Sequence, residues 1–156
     1  MPIRYFILAF ALFCGAGQLA QADELLIVRS AQNFEEAMST LQAAIKDQGY
    51  KVTKVQRVDV GLEAKGYKTD RYRVVFYGKP GEIEALAAKY PDLVPYLPLS
   101  IAIFAEEGNT ILTTARPSLL KQFYPEVALK PVFDRWEKDL EKIFDTVRET
   151  KYFAVG

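Results

Sequence analysis

Leu99-Ser100-Ile101-Ala102-Ile103-Phe104-Ala105-Glu106-Glu107-Gly108-Asn109-Thr110-Ile111-Leu112-Thr113-Thr114-Ala115-Arg116 is the stretch that decides the fold. Leu99, Ile101, Ile103 and Ala105 alternate with Ser100 and Ala102, the two-residue period of a strand. Glu106 to Asn109 is turn chemistry, and Thr110 to Arg116 returns as a second strand until Pro117 stops it. A hairpin makes antiparallel neighbours, so the sheet should be mainly antiparallel. The return strand is β-branched and carries no charge before Arg116. Read as a sheet edge it lacks the usual protection, and either the C-terminal helix or a second subunit should cover it.

Toward the N-terminus, Pro91 to Pro98 holds three prolines and predicts irregular chain. Before it, Ile83, Leu86, Ala87 and Tyr90 predict a helix opened at Pro80, which can start a helix because its missing N–H is not needed there. Arg71 to Tyr77 reads as a strand, and Gly61 to Asp70 as a polar, glycine-punctuated loop. Tyr50 to Val60 reads as a strand with a bulge near Val55, where the alternation slips. Phe34 to Gln48 is a helix: Phe34, Ala37, Met38, Leu41 and Ile45 form one stripe, Asn33 and Glu36 suit a capping box, and Gly49 closes it. Leu25-Leu26-Ile27-Val28 opens a first strand between Glu24 and Ala31.

Toward the C-terminus, residues 118–130 are mixed. From Pro131 to about residue 149 the helical period is clean, with Phe133, Trp136, Leu140, Ile143, Phe144 and Val147 on one face. Trp136 and Phe144 should anchor this helix. The whole predicts an α+β two-layer sandwich: a mainly antiparallel sheet of four to five strands with helices packed on one face.

The first 22 residues read differently. Arg4 is followed by an unbroken apolar run from Tyr5 to Cys14, and the segment ends in Ala20-Gln21-Ala22. This is the pattern of a secretory signal peptide, with cleavage expected between Ala22 and Asp23. Tyr5 to Gly17 is too short to span ~30 Å of hydrocarbon. A lipid anchor on Cys14 would want a small residue before it, and Phe13 stands there. The expectation is one α+β domain over residues 23–156, delivered to the periplasm or secreted, touching the membrane only in transit.

Removing residues 1–22 takes away the single Cys and Arg4. The remainder has no Cys or His, and 19 basic against 20 acidic residues give −1. No disulfide can form in it. Cys nucleophiles, Ser-His-Asp relays and His or Cys metal sites are excluded. The near-neutral charge without a basic run argues against nucleic acid. Neither a cofactor nor a metal is expected. Any catalysis would fall to Asp, Glu, Lys, Tyr or Ser.

Several pieces, in order, resemble a known family. They are Arg29-Ser30-Ala31-Gln32-Asn33-Phe34-Glu35-Glu36, then Asp47-Gln48-Gly49-Tyr50, Val74-Val75-Phe76-Tyr77-Gly78-Lys79-Pro80, Tyr96-Leu97-Pro98-Leu99 and Phe104-Ala105-Glu106-Glu107-Gly108. The succession, over roughly residues 25–120, is similar to the domain of unknown function 302 family. The resemblance implies a strand-helix-four-strand-helix layout and dimers, and supplies no reaction. Many members carry a His in the stretch that here reads Arg57-Val58-Asp59; this chain has none, a departure that speaks against a His-based role. The C-terminal helix from Pro131 reads as an extension beyond the family-like core.

Four constellations could carry function. Arg57, Asp59, Arg71 and Arg73 alternate charge on neighbouring strands and could bind a small anion or simply pair with one another. Gly78-Lys79-Pro80-Gly81 leads into a helix and could hold an anion with Lys79. Glu106-Glu107 reads as a solvent-exposed turn. Tyrosines such as Tyr77 could line a cleft, an interface or the core. The candidate ligand residues are therefore Arg57, Asp59, Tyr77 and Lys79, for a small anionic ligand, with no catalytic residue expected. Two functions stay open: a non-catalytic binding or assembly module that forms a homodimer, or a small enzyme or sensor acting on a small anion. A deep pocket lined by those charges would favour the second, and a sheet face closed by Tyr and Val the first.

Overall fold

The computed structural model describes residues 24–150. The signal peptide expected over residues 1–22 lies outside the described residues. The elements run β1 (Leu25–Ser30), α1 (Phe34–Asp47), β2 (Lys51–Arg57), α2 (Val58–Glu63), β3 (Tyr72–Gly78), α3 (Glu82–Lys89), β4 (Leu99–Glu106), β5 (Asn109–Ala115) and α4 (Lys130–Glu149). The five strands form one antiparallel sheet in the order β1-β5-β4-β3-β2. This is the α+β sandwich that the alternation and the helical stripes predict.

Local chemistry sets the ends of α1. Asn33 Oδ1 accepts from the Glu36 N–H at 3.1 Å, and Glu36 Oε2 accepts from the Asn33 N–H at 3.4 Å, a complete capping box. At its far end Gly49 takes φ +79°, a left-handed turn that an L side chain resists. Helices α1 and α4 cover one face of the sheet. Val28, Leu112 and Ile103 lie in one cross-strand row beneath them, joined by Leu41, Ile45, Phe133 and Trp136 in the buried core. Ser30 Oγ donates to Val147 O at 3.1 Å and Gln32 Nε2 to the same oxygen at 2.9 Å, fastening the end of α4 to β1.

Three expectations are corrected and a fourth is placed more closely. Strand β5 is not an edge: β1 pairs it on one side and β4 on the other. Its uncharged, β-branched run reflects a strand flanked on both sides, and the true edges are β1 and β2. The bulge expected near Val55 is present two residues earlier, at Thr53 between Val52 and Lys54. The strand ends at Arg57 because Val58–Glu63 coils into a short helix, and Val58 and Val60 only imitate strand alternation. That helix occupies the start of the expected 61–70 loop. Pro91–Tyr96 is regular after all, a 3-10 helix with Pro91 in its first turn, and Pro117–Gln122 forms another.

The second face of the sheet lies opposite α1 and α4, and at its β2–β3 end the start of α3 reaches it, where Ile83 closes on Gly78. Residues opposite in parity to the core row point to this second face. Ile27, Thr113, Ala102, Val74 and Gln56 make one row across all five strands. Arg29, Ile111, Phe104 and Tyr72 make the next. Ile111 is buried yet stands outside the core cluster, as its place on this face requires. The Arg29–Glu106 ion pair spans the strand beside it.

Candidate functional site

The candidate residues divide between the two ends of the β2–β3 pair. Arg57 pairs with Arg73 at one end of the ladder, and Lys51 with Gly78, next to Lys79, at the other. Five residues of strand separate Arg73 from Gly78, about 17 Å at ~3.3 Å per residue. The sheet therefore keeps Arg57 and Asp59 apart from Tyr77 and Lys79.

At the first end Asp59 is 4% exposed and forms an ion pair with Arg73, itself buried. The short helix α2 turns Asp59 inward to make this contact. The Arg73 guanidinium also stands over the Phe34 ring, 5.6 Å from its centroid. Burial pushes the Asp59 carboxyl up, but Arg73 and the backbone N–H groups of Val60 and Tyr72 outweigh it and hold the group below its ordinary value. A carboxylate so held is a poor proton acceptor at neutral pH. The cleft around it, about 390 Å³, carries Arg57, Arg71 and Arg73 against Asp59, Glu63 and Asp70. Its charges balance, so the alternation read in the sequence resolves mainly into internal pairing.

At the second end Tyr77 is 2% exposed, with its ring edge-on to Tyr50 at 5.4 Å. It belongs to the core. Burial pushes the Tyr77 phenol up, and Asp139 pushes it further. Tyr50 donates from its hydroxyl to Asp139 Oδ2 at 2.8 Å; burial and then this bond raise its phenol too. Lys79 is half-buried beside a cleft of about 790 Å³, its Nζ 4.9 Å from the Tyr50 ring centroid. Lys51 and Lys54 share that cleft. No strand period marks them, because residues three apart point to opposite faces unless a bulge intervenes.

The open sheet face also went unread. Its signal lies in β3, where Tyr72, Val74 and Phe76 alternate with Arg73, Val75 and Tyr77. Both parities are largely apolar, which a sheet wetted on one side does not need. Leu25 is 48% exposed and Ile27 60%. Tyr72 and Phe104 meet edge-on at 6.2 Å on this face. Among the described residues no group of three or more Asp, Glu, His or Cys could hold a metal ion, and no helix is long and apolar enough to cross a membrane.

A five-stranded antiparallel sheet with α1 and α4 packed on one face places the chain in the α+β class. The chain belongs to the family described as domain of unknown function DUF302, whose model matches residues 26–147. That span takes in α4 as far as Val147, so the helix read as an extension lies within the family's own reach. The fold is similar to the crystal structure of an uncharacterised conserved DUF302 protein from Bacillus stearothermophilus, with TM-score 0.73 and 22% identity. The likeness covers 81% of this chain and 100% of that one. No curated protein matches the chain.

Proposed function

We propose that this protein is a non-catalytic assembly module of the periplasm, exported by residues 1–22 and closed as a homodimer over the open face of its sheet. The observation that carries the reading is that face: Leu25, Ile27, Ala102, Phe104, Tyr72, Val74 and Phe76 lie on it, on the side of the sheet opposite α1 and α4. Five strands at ~4.8 Å spacing and about six residues at ~3.3 Å give a plan area of roughly 500 Å² before side-chain relief is counted. A standard interface uses about 800 Å² of accessible surface per partner, so the face is of the right order for one stable contact. A two-fold arrangement would cover the same patch on both copies at once. The helix α4 offers no rival surface, since its apolar stripe is already in the core. The enzyme or sensor reading needs Arg57, Asp59 and Lys79 in one pocket, and they lie at opposite ends of the β2–β3 pair.

Sedimentation velocity tests the dimer. The wild-type chain should sediment at twice its chain mass at micromolar concentration, and Ile27→Lys as a monomer with an unchanged fold, since Ile27 is exposed on an edge strand. A wild-type monomer throughout, or a dimer indifferent to this charge, would sink the reading. Export is tested separately by the intact mass of the protein recovered from the periplasm. It should begin at Asp23, and a retained Met1 or a lipid on Cys14 would contradict it.

A further inference from the structure

We infer that the cleft between β2 and the start of α3 is a binding site for an amphipathic organic anion, a carboxylate or sulfonate carrying an apolar body. The device that builds it is the bulge. Lys51 pairs with Gly78 and Lys54 with Phe76, two positions apart on β3 and so on one face. On β2 the two lysines are three apart. The extra residue, Thr53, absorbs the mismatch and is fixed by its Oγ1 donating to Phe76 O at 3.2 Å. Without it one lysine would point to the opposite face.

Lys79 lines the cleft as well, but its Nζ sits over the Tyr50 ring and beside Gly49, neither of them on the cleft wall, so the charge of the cleft rests on Lys51 and Lys54. No ion pair among the described residues uses Lys51, Lys54 or Lys79. Glu84 is the one carboxylate on the wall, so the charges of Lys51 and Lys54 face a single negative one. The cleft at the other end of the same strands balances three against three. Val52, Phe76, Ile83 and Pro98 provide apolar wall between the lysines. At about 790 Å³ the cleft falls within the ~300–1,000 Å³ of small-molecule sites. Charge selects the anion, and the apolar wall selects one with a hydrocarbon or aromatic body. The cleft lies at the β2 end of the face proposed for the dimer and shares Phe76 with it, so anion binding is read by the titration below and self-association separately by sedimentation.

Three probes share or lack the two features: decanoate has both, acetate only the charge, and decyltrimethylammonium only the tail. Each is titrated into the purified, isotope-labelled chain and followed by amide NMR. Decanoate should bind saturably, moving the signals of residues 51–54, 76–79 and 83, while acetate and the cationic amphiphile leave them still. Lys51→Gln and Lys54→Gln should each weaken decanoate roughly two- to five-fold, the range for a surface charge contact. Lys65→Gln, which removes the same charge elsewhere, should change nothing. Equal binding of the cationic amphiphile, decanoate shifts centred on Tyr72 and Phe104, or no saturable binding at millimolar decanoate would each overturn the inference.

Discussion

Asp59 shows how a charge that reads as a ligand can be an internal strut. Its carboxylate and the Arg73 guanidinium are both withdrawn from water, with side-chain exposures of 6% and 11%. Removing one partner of such a pair strands the other charge, at a cost of about 3–5 kcal/mol. We therefore expect Asp59→Ala to lose that much stability by chemical denaturation. The double change Asp59→Leu with Arg73→Met should recover most of it. The pH dependence follows in sign. Asp59 is held below its ordinary value when folded, so its contribution is complete above the unfolded value of about 3.9 and drains as pH falls through the folded one. Below about pH 4 the wild-type chain should lose stability more steeply than Asp59→Asn. At this scale the sequence revealed which residues carry charge but not their partners. Asp59 meets Arg73 only because α2 turns it inward, and no local pattern encodes that turn.

Helices α1, α3 and α4 were legible and the β2–α2 region was not, for the same reason. Helix α4 states its partner in its own period: Phe133, Trp136, Leu140, Ile143, Phe144 and Val147 are all buried. Trp136 adds a bond that the period does not show, donating from Nε1 to Glu82 Oε2 at 3.2 Å, while Arg135 pairs with the same carboxylate. The residue thus ties α4 to α3 as well as to the core. We expect Trp136→Ala to cost about 3–5 kcal/mol in thermal or chemical unfolding. Trp136→Phe should cost far less, about 1 kcal/mol for the lost hydrogen bond plus a little packing. An unchanged midpoint in the alanine variant would mean α4 is not anchored there. In β2, by contrast, the valines at 52, 55, 58 and 60 fit several phase slips equally well. Choosing Thr53 requires the partner strand, since only pairing with Gly78 and Phe76 places the extra residue.

For the whole molecule, an antiparallel layout with helices on one side was readable from the hairpin and the apolar stripes. The strand order was not. Nothing in Leu25–Ser30 says that the first strand will insert beside the last, making β5 interior. The swap moves the unprotected edge from the return strand to β1, and the contrast between the two real edges is physical. Strand β2 carries Lys51, Lys54, Arg57 and a bulge, the usual defences against pairing. Strand β1 has only Arg29, which is occupied with Glu106, and exposes Leu25 and Ile27. Apolar surface that continues from an undefended edge across the face opposite α1 and α4 is what a second copy would cover. The most direct measurement of that contact is an isotope-filtered NOE spectrum on an equal mixture of labelled and unlabelled chain, which registers only contacts between protomers. We predict cross-protomer NOEs linking the methyls of Leu25 and Ile27 and the rings of Tyr72 and Phe104. A spectrum without intermolecular NOEs at these residues, from a sample shown by light scattering to be monomeric, would contradict the account.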